Sequence, residues 1–220
     1  MLFRYIHLLV IFLKPRHWLT FLGIAVAAAV LHLLDNNIHS VLNFDAQMVR
    51  DGQWWRLLTG HLLHTNFNHL MLNLSGLLLL WALHGEYYDI RYTWLFLLGG
   101  GLLISTALFF FSDTTHYVGL SAIIHTFFTW GAIQDIKLGM KTGWLLLLGV
   151  LLKVIWEQLY GGSVEVMNII NSNVAIDSHL YGAVAGLVLV FLFRPDLESL
   201  KAEMEKEKQK ASGDASEETP

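Results

Sequence analysis

The chain has 220 residues, 55% of them hydrophobic and only 15% charged, with a mean hydropathy of +0.50. Those values belong to a membrane protein and predict one domain with a tail. The net charge is −4, there is no basic patch to take nucleic acid, and the absence of cysteine excludes disulfides, thiolate chemistry and cysteine-based zinc sites.

Residues 1–13 are apolar but shorter than the roughly 20 helical residues a bilayer requires. With Arg4, Lys14 and Arg16 around them they predict an interfacial helix. A first span follows over about 17–34, then a long polar stretch from Asp35 to about Asn66. That stretch holds Trp54-Trp55-Arg56, whose paired aromatics read as interfacial anchors, so it is expected to be partly helical and to lie in the interface. Further spans are predicted over about 67–83, 92–111, 119–133, 143–160 and 174–193. Gly99-Gly100-Gly101 allows close helix approach within the third. The fourth, at about fifteen residues, is short enough to start below the membrane surface. From Pro195 the chain becomes a Glu/Lys helix and then, from Ser212, a polar disordered tail. The expected organisation is an N-terminal cytoplasmic or interfacial segment (1–16), an all-α six-helix membrane domain (17–193) and a charged helix with a tail (194–220).

Six spans put both termini on one side. Of the 14 Lys and Arg, eleven fall on that side, two (Arg50 and Arg56) on the other, and Lys153 within the fifth span. The positive-inside rule therefore predicts cytoplasmic termini. With that topology His69 and Asn73, at i and i+4 on one face of the second span, occupy its outer half. Ser121 is in the first turn of the fourth span, and His179 enters with the sixth. Four polar residues from three spans thus share the outer layer, while the inner half carries almost none. Intramembrane ionisable residues are costly and mark functional sites.

The chemistry these residues support is acyl transfer. Histidine is the usual base that turns a serine into a nucleophile, giving Ser121 and His179 the roles of nucleophile and base. Acyl transfer also needs donors aimed at a developing oxyanion, and His69, Asn73 and the Ser121 backbone N–H can supply them. Gly182 and Gly186, at i+3 and i+7 from His179, form a stripe that lets the sixth span press against the fourth. Lys153 and Glu157 are i,i+4 in the outer half of the fifth span. They read either as an ion pair that lowers the cost of two charges or as a contact to substrate. His125 shares the Ser121 face and reads as a supporting partner. Asp177, two residues before His179, points elsewhere on a helix and is not taken as a third catalytic group. His64 sits at the helix edge. His7, His17, His32, His39, His61, His84 and His116, near span ends or in loops, read as solvated or interfacial. No H-E-x-x-H set is present and His69 with Asn73 is a poor zinc pair, so neither metal nor another cofactor is expected.

His64-Thr65-Asn66-Phe67-Asn68-His69-Leu70-Met71-Leu72-Asn73, Gly119-Leu120-Ser121 and His179-Leu180-Tyr181-Gly182-Ala183-Val184-Ala185-Gly186, with Trp55-Arg56 in the first loop, resemble the rhomboid intramembrane serine proteases. The likeness covers about residues 50–193 and has the family's order of motifs. It implies a six-helix rhomboid-like bundle and a Ser–His dyad without a third acid. It also implies substrates that are membrane-anchored proteins. Ala122 departs from the family's glycine after the serine, and His125 stands where many members have tyrosine. His125, together with Lys153-Val154-Ile155-Trp156-Glu157-Gln158, is similar to the rhombosortase branch, which makes Gly119, His125, Lys153, Trp156 and Glu157 candidates to support the site or touch substrate. That branch implies a multi-pass protein of the bacterial inner membrane with its site opening to the periplasm. It also implies clients with a C-terminal Gly-Gly motif, transmembrane helix and basic tail. Two other readings were weighed: an inactive relative that binds or sorts transmembrane clients, and a small transporter. The sequence leaves open the oligomeric state, the client identities, and whether water or an amine resolves the acyl-enzyme.

Overall fold

A computed structural model describes residues 15–193 and, beyond them, 195, 196, 198, 199, 201, 202, 205, 206 and 209. The expected interfacial helix over 1–13 and the tail from Ser212 lie outside the described residues. The protein is predominantly helical. Its elements are α1 (Pro15–Leu33), α2 (Asp35–Leu42), the short strand β1 (Phe44–Asp45), α3 (Ala46–Arg50), α4 (Arg56–Thr59) and α5 (Phe67–His84). There follow α6 (Ile90–Phe111), β2 (His116–Tyr117), α7 (Ser121–Lys137), α8 (Lys141–Tyr160), α9 (Val164–Ile170) and α10 (Ile176–Leu192). Helices stand at all six places where spans are expected. By length and composition α6 and α8 suffice to cross a membrane, whereas Trp18–Leu33 and Ile176–Leu192 are shorter apolar helices.

Polar caps set the helix starts. Asn66 Oδ1 accepts from the His69 amide at 2.8 Å to open α5, Asp89 Oδ1 accepts from Tyr92 at 2.9 Å to open α6, and Asp45 Oδ1 serves Gln47 and Met48 at the start of α3. Within α6 the run Phe96–Gly100 is wound as a π-helix, a local bulge at the glycines. Gly161, at φ +85°, ends α8.

α7 is the centre of the molecule, and α5, α8 and α10 pack around it. Buried residues from Ala122 to Asp135 cover every face, the signature of a core helix rather than an amphipathic one. Against it lies an aromatic cluster in which Tyr88 stands edge-on to Phe127 at 4.8 Å and Phe96 edge-on to Trp130 at 4.9 Å. The closest approach in this core is between α7 and α10. A Cβ built on Gly182 would stand 2.2 Å from the Ala122 carbonyl oxygen, and one on Gly186 would stand 2.6 Å from that of Thr126. Glycine at both positions lets the backbones touch, and Thr126 Oγ1 crosses the seam to donate to Gly182 O at 2.9 Å.

The long first loop is partly helical as expected, with exposed Trp54 and Trp55, but its organising group is Arg56. Arg56 is buried and donates through Nε to Gln53 Oε1 at 2.8 Å, through Nη1 to the carbonyl and side-chain oxygens of Asn43 at 2.8 and 2.7 Å, and through Nη2 to Ser40 O at 2.9 Å. The rigid guanidinium fork thereby closes the loop on itself. β1 and β2 pair antiparallel, Phe44 with Tyr117 and Asp45 with His116, and Gly119 N–H donates to Gly60 O at 3.1 Å. The loop thus grips the strand that leads into α7.

Three expectations are corrected. His61 and His84 are buried rather than solvated. His61 Nε2 lies 3.0 Å from Gly101 O and 2.9 Å from Ser105 Oγ. The ends of α5 and α7 away from Ser121, expected to carry almost no polar groups, are not apolar either. α7 runs past Ile133, and fully buried Asp135 accepts from Tyr87 Oη at 2.6 Å with His84 Nε2 at 3.4 Å. The Tyr87 hydroxyl satisfies one oxygen of that buried carboxyl group.

The α7–α10 seam makes a direct prediction. Gly182→Ala drives a methyl into a backbone oxygen that cannot swing away, and is expected to cost about 1–3 kcal/mol, a fall in Tm of roughly 2–10 °C in detergent. Gly149→Ala, on α8 where a Cβ meets nothing within 4 Å, is expected to leave Tm level or slightly raised.

Candidate active site

Three helices converge on one cavity of about 280 Å³, whose lining includes Ser121, His179, His69 and Asn73. Ser121 is the first residue of α7. It is presented there by Gly119, whose φ of +132° is closed to most side chains and whose missing Cβ would stand 3.0 Å from the His69 ring. Glycine is therefore required twice at that position, for conformation and for space. Ser121 Oγ lies 2.9 Å from His179 Nε2. That contact depends on the α7–α10 seam, since His179 sits on α10 less than one turn before Gly182.

The far side of the imidazole is occupied as well. His179 Nδ1 lies 2.8 Å from Glu157 Oε2 on α8, and Glu157 Oε1 accepts from Lys153 Nζ at 2.6 Å. Lys153 Nζ is also 3.3 Å from His179 Nδ1. His125 stacks on His179 with ring centroids 4.4 Å apart and planes 16° apart, and its Nδ1–H donates to Ser121 O at 2.7 Å. The imidazole is thus held flat by one ring, with the hydroxyl at one nitrogen and a carboxylate at the other.

His69 and Asn73 face the same cavity from α5. Thr65 N–H, which can only donate, points at His69 Nδ1 at 3.3 Å, so the ring proton sits on Nε2, the edge beside Gly119. Asn73 Nδ2 is buried and has no hydrogen-bond partner among the described residues. A buried amide donor left unmatched carries a desolvation cost, and here it lies near Gly119 next to a histidine N–H. The first amides of α7, at Ser121 and the residues after it, have no intrahelical acceptor. Together these groups form a set of donors around one small volume next to Ser121.

The cavity is roofed by α9 and the loop that follows it, including Ile170, Ser172 and Val174. The roof is fastened to the start of α5 by Thr65 Oγ1 donating to Ile170 O at 2.7 Å and Asn66 Nδ2 donating to Ile169 O at 3.0 Å. Asn171 ends α9 in the left-handed region at φ 51°.

The structure brings together Ser121, His179, His69, Asn73, Gly119 and His125, with Gly182 and Gly186 at the seam behind them. Lys153 and Glu157 form the ion pair that was one of their two readings, but the glutamate also turns inward to the imidazole. Trp156 is exposed on the outer face of α8 and stacks on Tyr160 at 4.4 Å, away from the cavity. Asp177 accepts from Ser112 Oγ and takes no part. Sequence reasoning missed the Glu157–His179 contact and α9. The signal for the first was present, because Glu157 shares the depth of the other four residues. For the second, Ser163 ahead of Val164-Glu165-Val166 is an N-cap, and its Oγ accepts from Val166 N.

The family described as "Rhomboid domain" matches residues 51–196, about two thirds of the chain, from the first loop through α10. No curated protein matches the chain.

Two buried loop histidines give the stability of the fold a pH dependence. His64 is buried edge-on to His69 at 5.0 Å, with neither ring nitrogen hydrogen-bonded among the described residues. Burial, with smaller effects from His69, His32 and His39, holds it down to about 3, and burial holds His61 down to about 4. An exposed histidine takes its proton near 6.5, so between that value and 4 the unfolded chain binds more protons than the folded one. The stability these groups contribute is complete above 6.5 and is lost as pH falls through 4 toward 3. Tm in detergent is therefore expected to be level above about pH 7 and to drop steadily below about 6.5. His61→Gln should make that drop shallower, and an unchanged slope would contradict the assignment.

Proposed function

The chain belongs to the rhomboid family, membrane proteins that generally act as serine intramembrane proteases, and from that premise we propose that this protein is an active endopeptidase whose nucleophile is Ser121 and whose base is His179. The single observation that carries the reading is the 2.9 Å contact between Ser121 Oγ and His179 Nε2 inside a cavity that also holds the unmatched Asn73 Nδ2 donor. A protein that only bound or sorted transmembrane clients would need neither the hydroxyl–imidazole pairing nor a buried amide donor without a partner.

In the reaction His179 Nε2 takes the Ser121 Oγ proton as Oγ bonds to the scissile carbonyl carbon. The carbonyl oxygen becomes an oxyanion beside His69 Nε2–H, Asn73 Nδ2 and the Ser121 amide. The imidazolium then protonates the leaving amine, the C–N bond breaks, and an ester remains on Ser121. Water attacks that ester with His179 again as base, releasing acid and free serine. No metal or cofactor is called for.

His125 and the Lys153–Glu157 segment support assignment to the rhombosortase-like branch. On that reading the clients are exported proteins tethered by a C-terminal Gly-Gly, transmembrane helix and basic tail. The protein sits in the bacterial inner membrane as a six-span bundle, with cytoplasmic termini and a site opening to the periplasm. The eleven-to-two distribution of Lys and Arg supports that orientation.

Co-expression with a reporter carrying such a C-terminal tail should release the reporter's soluble part. Release is expected to vanish in Ser121→Ala and in His179→Ala, and normal processing by the serine variant would end this reading. His69→Ala and Asn73→Ala, each removing one oxyanion donor, are expected to lower kcat by about 100- to 1,000-fold with little change in KM.

A further inference from the structure

An i,i+4 ion pair accounts for only half of what Glu157 does. Such a pair needs one carboxylate oxygen, and Lys153 takes Oε1 at 2.6 Å. The second oxygen is turned inward, 2.8 Å from His179 Nδ1, and the residue is buried while the Lys153 side chain stays about half exposed. Burying a carboxylate is costly wherever the charge is not matched, and a pair on the lipid face would have left the imidazole out.

Two groups compete for His179 Nδ1, and they demand opposite protonation. The Lys153 ammonium can only donate, so a bond from it would require a bare Nδ1 and put the ring proton on Nε2, pointing at Ser121. That tautomer cannot accept the serine proton. The Glu157 carboxylate can only accept, so a bond to it keeps the proton on Nδ1 and leaves Nε2 bare toward Ser121 Oγ. At 2.8 Å against 3.3 Å, the carboxylate holds the closer contact.

We propose that Glu157 is a positioning residue that completes a Ser121–His179–Glu157 triad, with Lys153 anchoring the carboxylate. This inference rests on the reading of Ser121 and His179 as nucleophile and base. Glu157 stays ionised throughout and transfers no proton. It accepts the Nδ1–H bond before and after Nε2 takes the serine proton, and its charge offsets the imidazolium that forms when Oγ bonds to the substrate carbonyl. The groups facing His179 from the surrounding helices are Ser121 and His125 on α7, Lys153 and Glu157 on α8, and His69 on α5. Among these five, Glu157 is the one anion.

The test uses the full-length protein in vesicles of phosphatidylethanolamine and phosphatidylglycerol, with the same Gly-Gly, transmembrane-helix and basic-tail reporter and separate kcat and KM. Glu157→Gln presents an amide N–H to Nδ1 and favours the wrong tautomer. It is expected to lower kcat by about 100-fold or more while KM and Tm hold. Glu157→Asp, which keeps the acceptor at a shorter reach, should recover at least about tenfold of that loss. The decisive arm is a double variant. In Glu157→Ala the ammonium of Lys153 is left as the nearest partner of Nδ1, so adding Lys153→Met should raise kcat above that of Glu157→Ala alone. A purely structural ion pair predicts no such gain. Glu157→Gln within about threefold of wild-type kcat, or a double variant no faster than Glu157→Ala, would overturn the triad while leaving Ser121 and His179 in place. A Ser121→Ala variant that still cleaves the reporter, or an inert wild type, would instead bring down the underlying reading of the site.

Discussion

The backbone contact between α7 and α10 sets the terms for everything around it. With Gly182 lying against the Ala122 carbonyl and Gly186 against that of Thr126, the two helices approach as closely as their main chains allow. That distance decides whether an imidazole on one reaches a hydroxyl on the other. In a bilayer, lipid tails are as apolar as leucine, so helix association draws on close packing and interhelical hydrogen bonds rather than on the hydrophobic effect. The Thr126 bond to Gly182 O adds the second of those to the first. The contact explains how Ser121 and His179 come to lie 2.9 Å apart.

Around this seam, polar groups are placed in layers. At the cavity end, Arg56 folds the first loop, and the loop holds β2 and Gly119 so that Ser121 is aimed into the cavity. At the opposite end, Tyr87 and Asp135 join the ends of α5 and α7, with His84 alongside. The loop also lines the cavity through His39, Asn43 and Thr65, whereas the Tyr87–Asp135 cluster does not reach it. Both fix the ends of helices that carry the proposed chemistry. Rigid supports of this kind are what a site needs if its donors are to await a charge that develops only during reaction.

Much of this was legible in the residues. Apolar length located helices at the six expected places, and His69, Asn73, Ser121 and His179, expected at one depth, come to one cavity. Gly182 and Gly186 were readable because a glycine stripe at helical spacing on the His179 face has one simple use. Other features were not readable for physical reasons. His61 and His84 look like span-end residues until the loop and α7 cover them, and periodicity says nothing about what a loop covers. Trp156 shares a motif with Glu157, but one helical step of about 100° separates them, so one is exposed and the other meets the imidazole. Glu157 itself was ambiguous because an i,i+4 partner satisfies one carboxylate oxygen and conceals the use of the other. The short helix α9 is too brief for a periodic signal, and only its serine cap announced it.

The serine, the histidine and the glutamate stand on three different helices, and none of them lies within thirty residues of another along the chain except Glu157 and His179. No local segment contains even one of the contacts that link them. A chain that had inserted its helices but not yet docked them would show full helical content and still lack the pairing, as molten states lack fixed side-chain contacts. The arrangement therefore comes into being only with the last stage of assembly. On the proposed mechanism, a half-made copy is chemically silent toward its neighbours in the membrane.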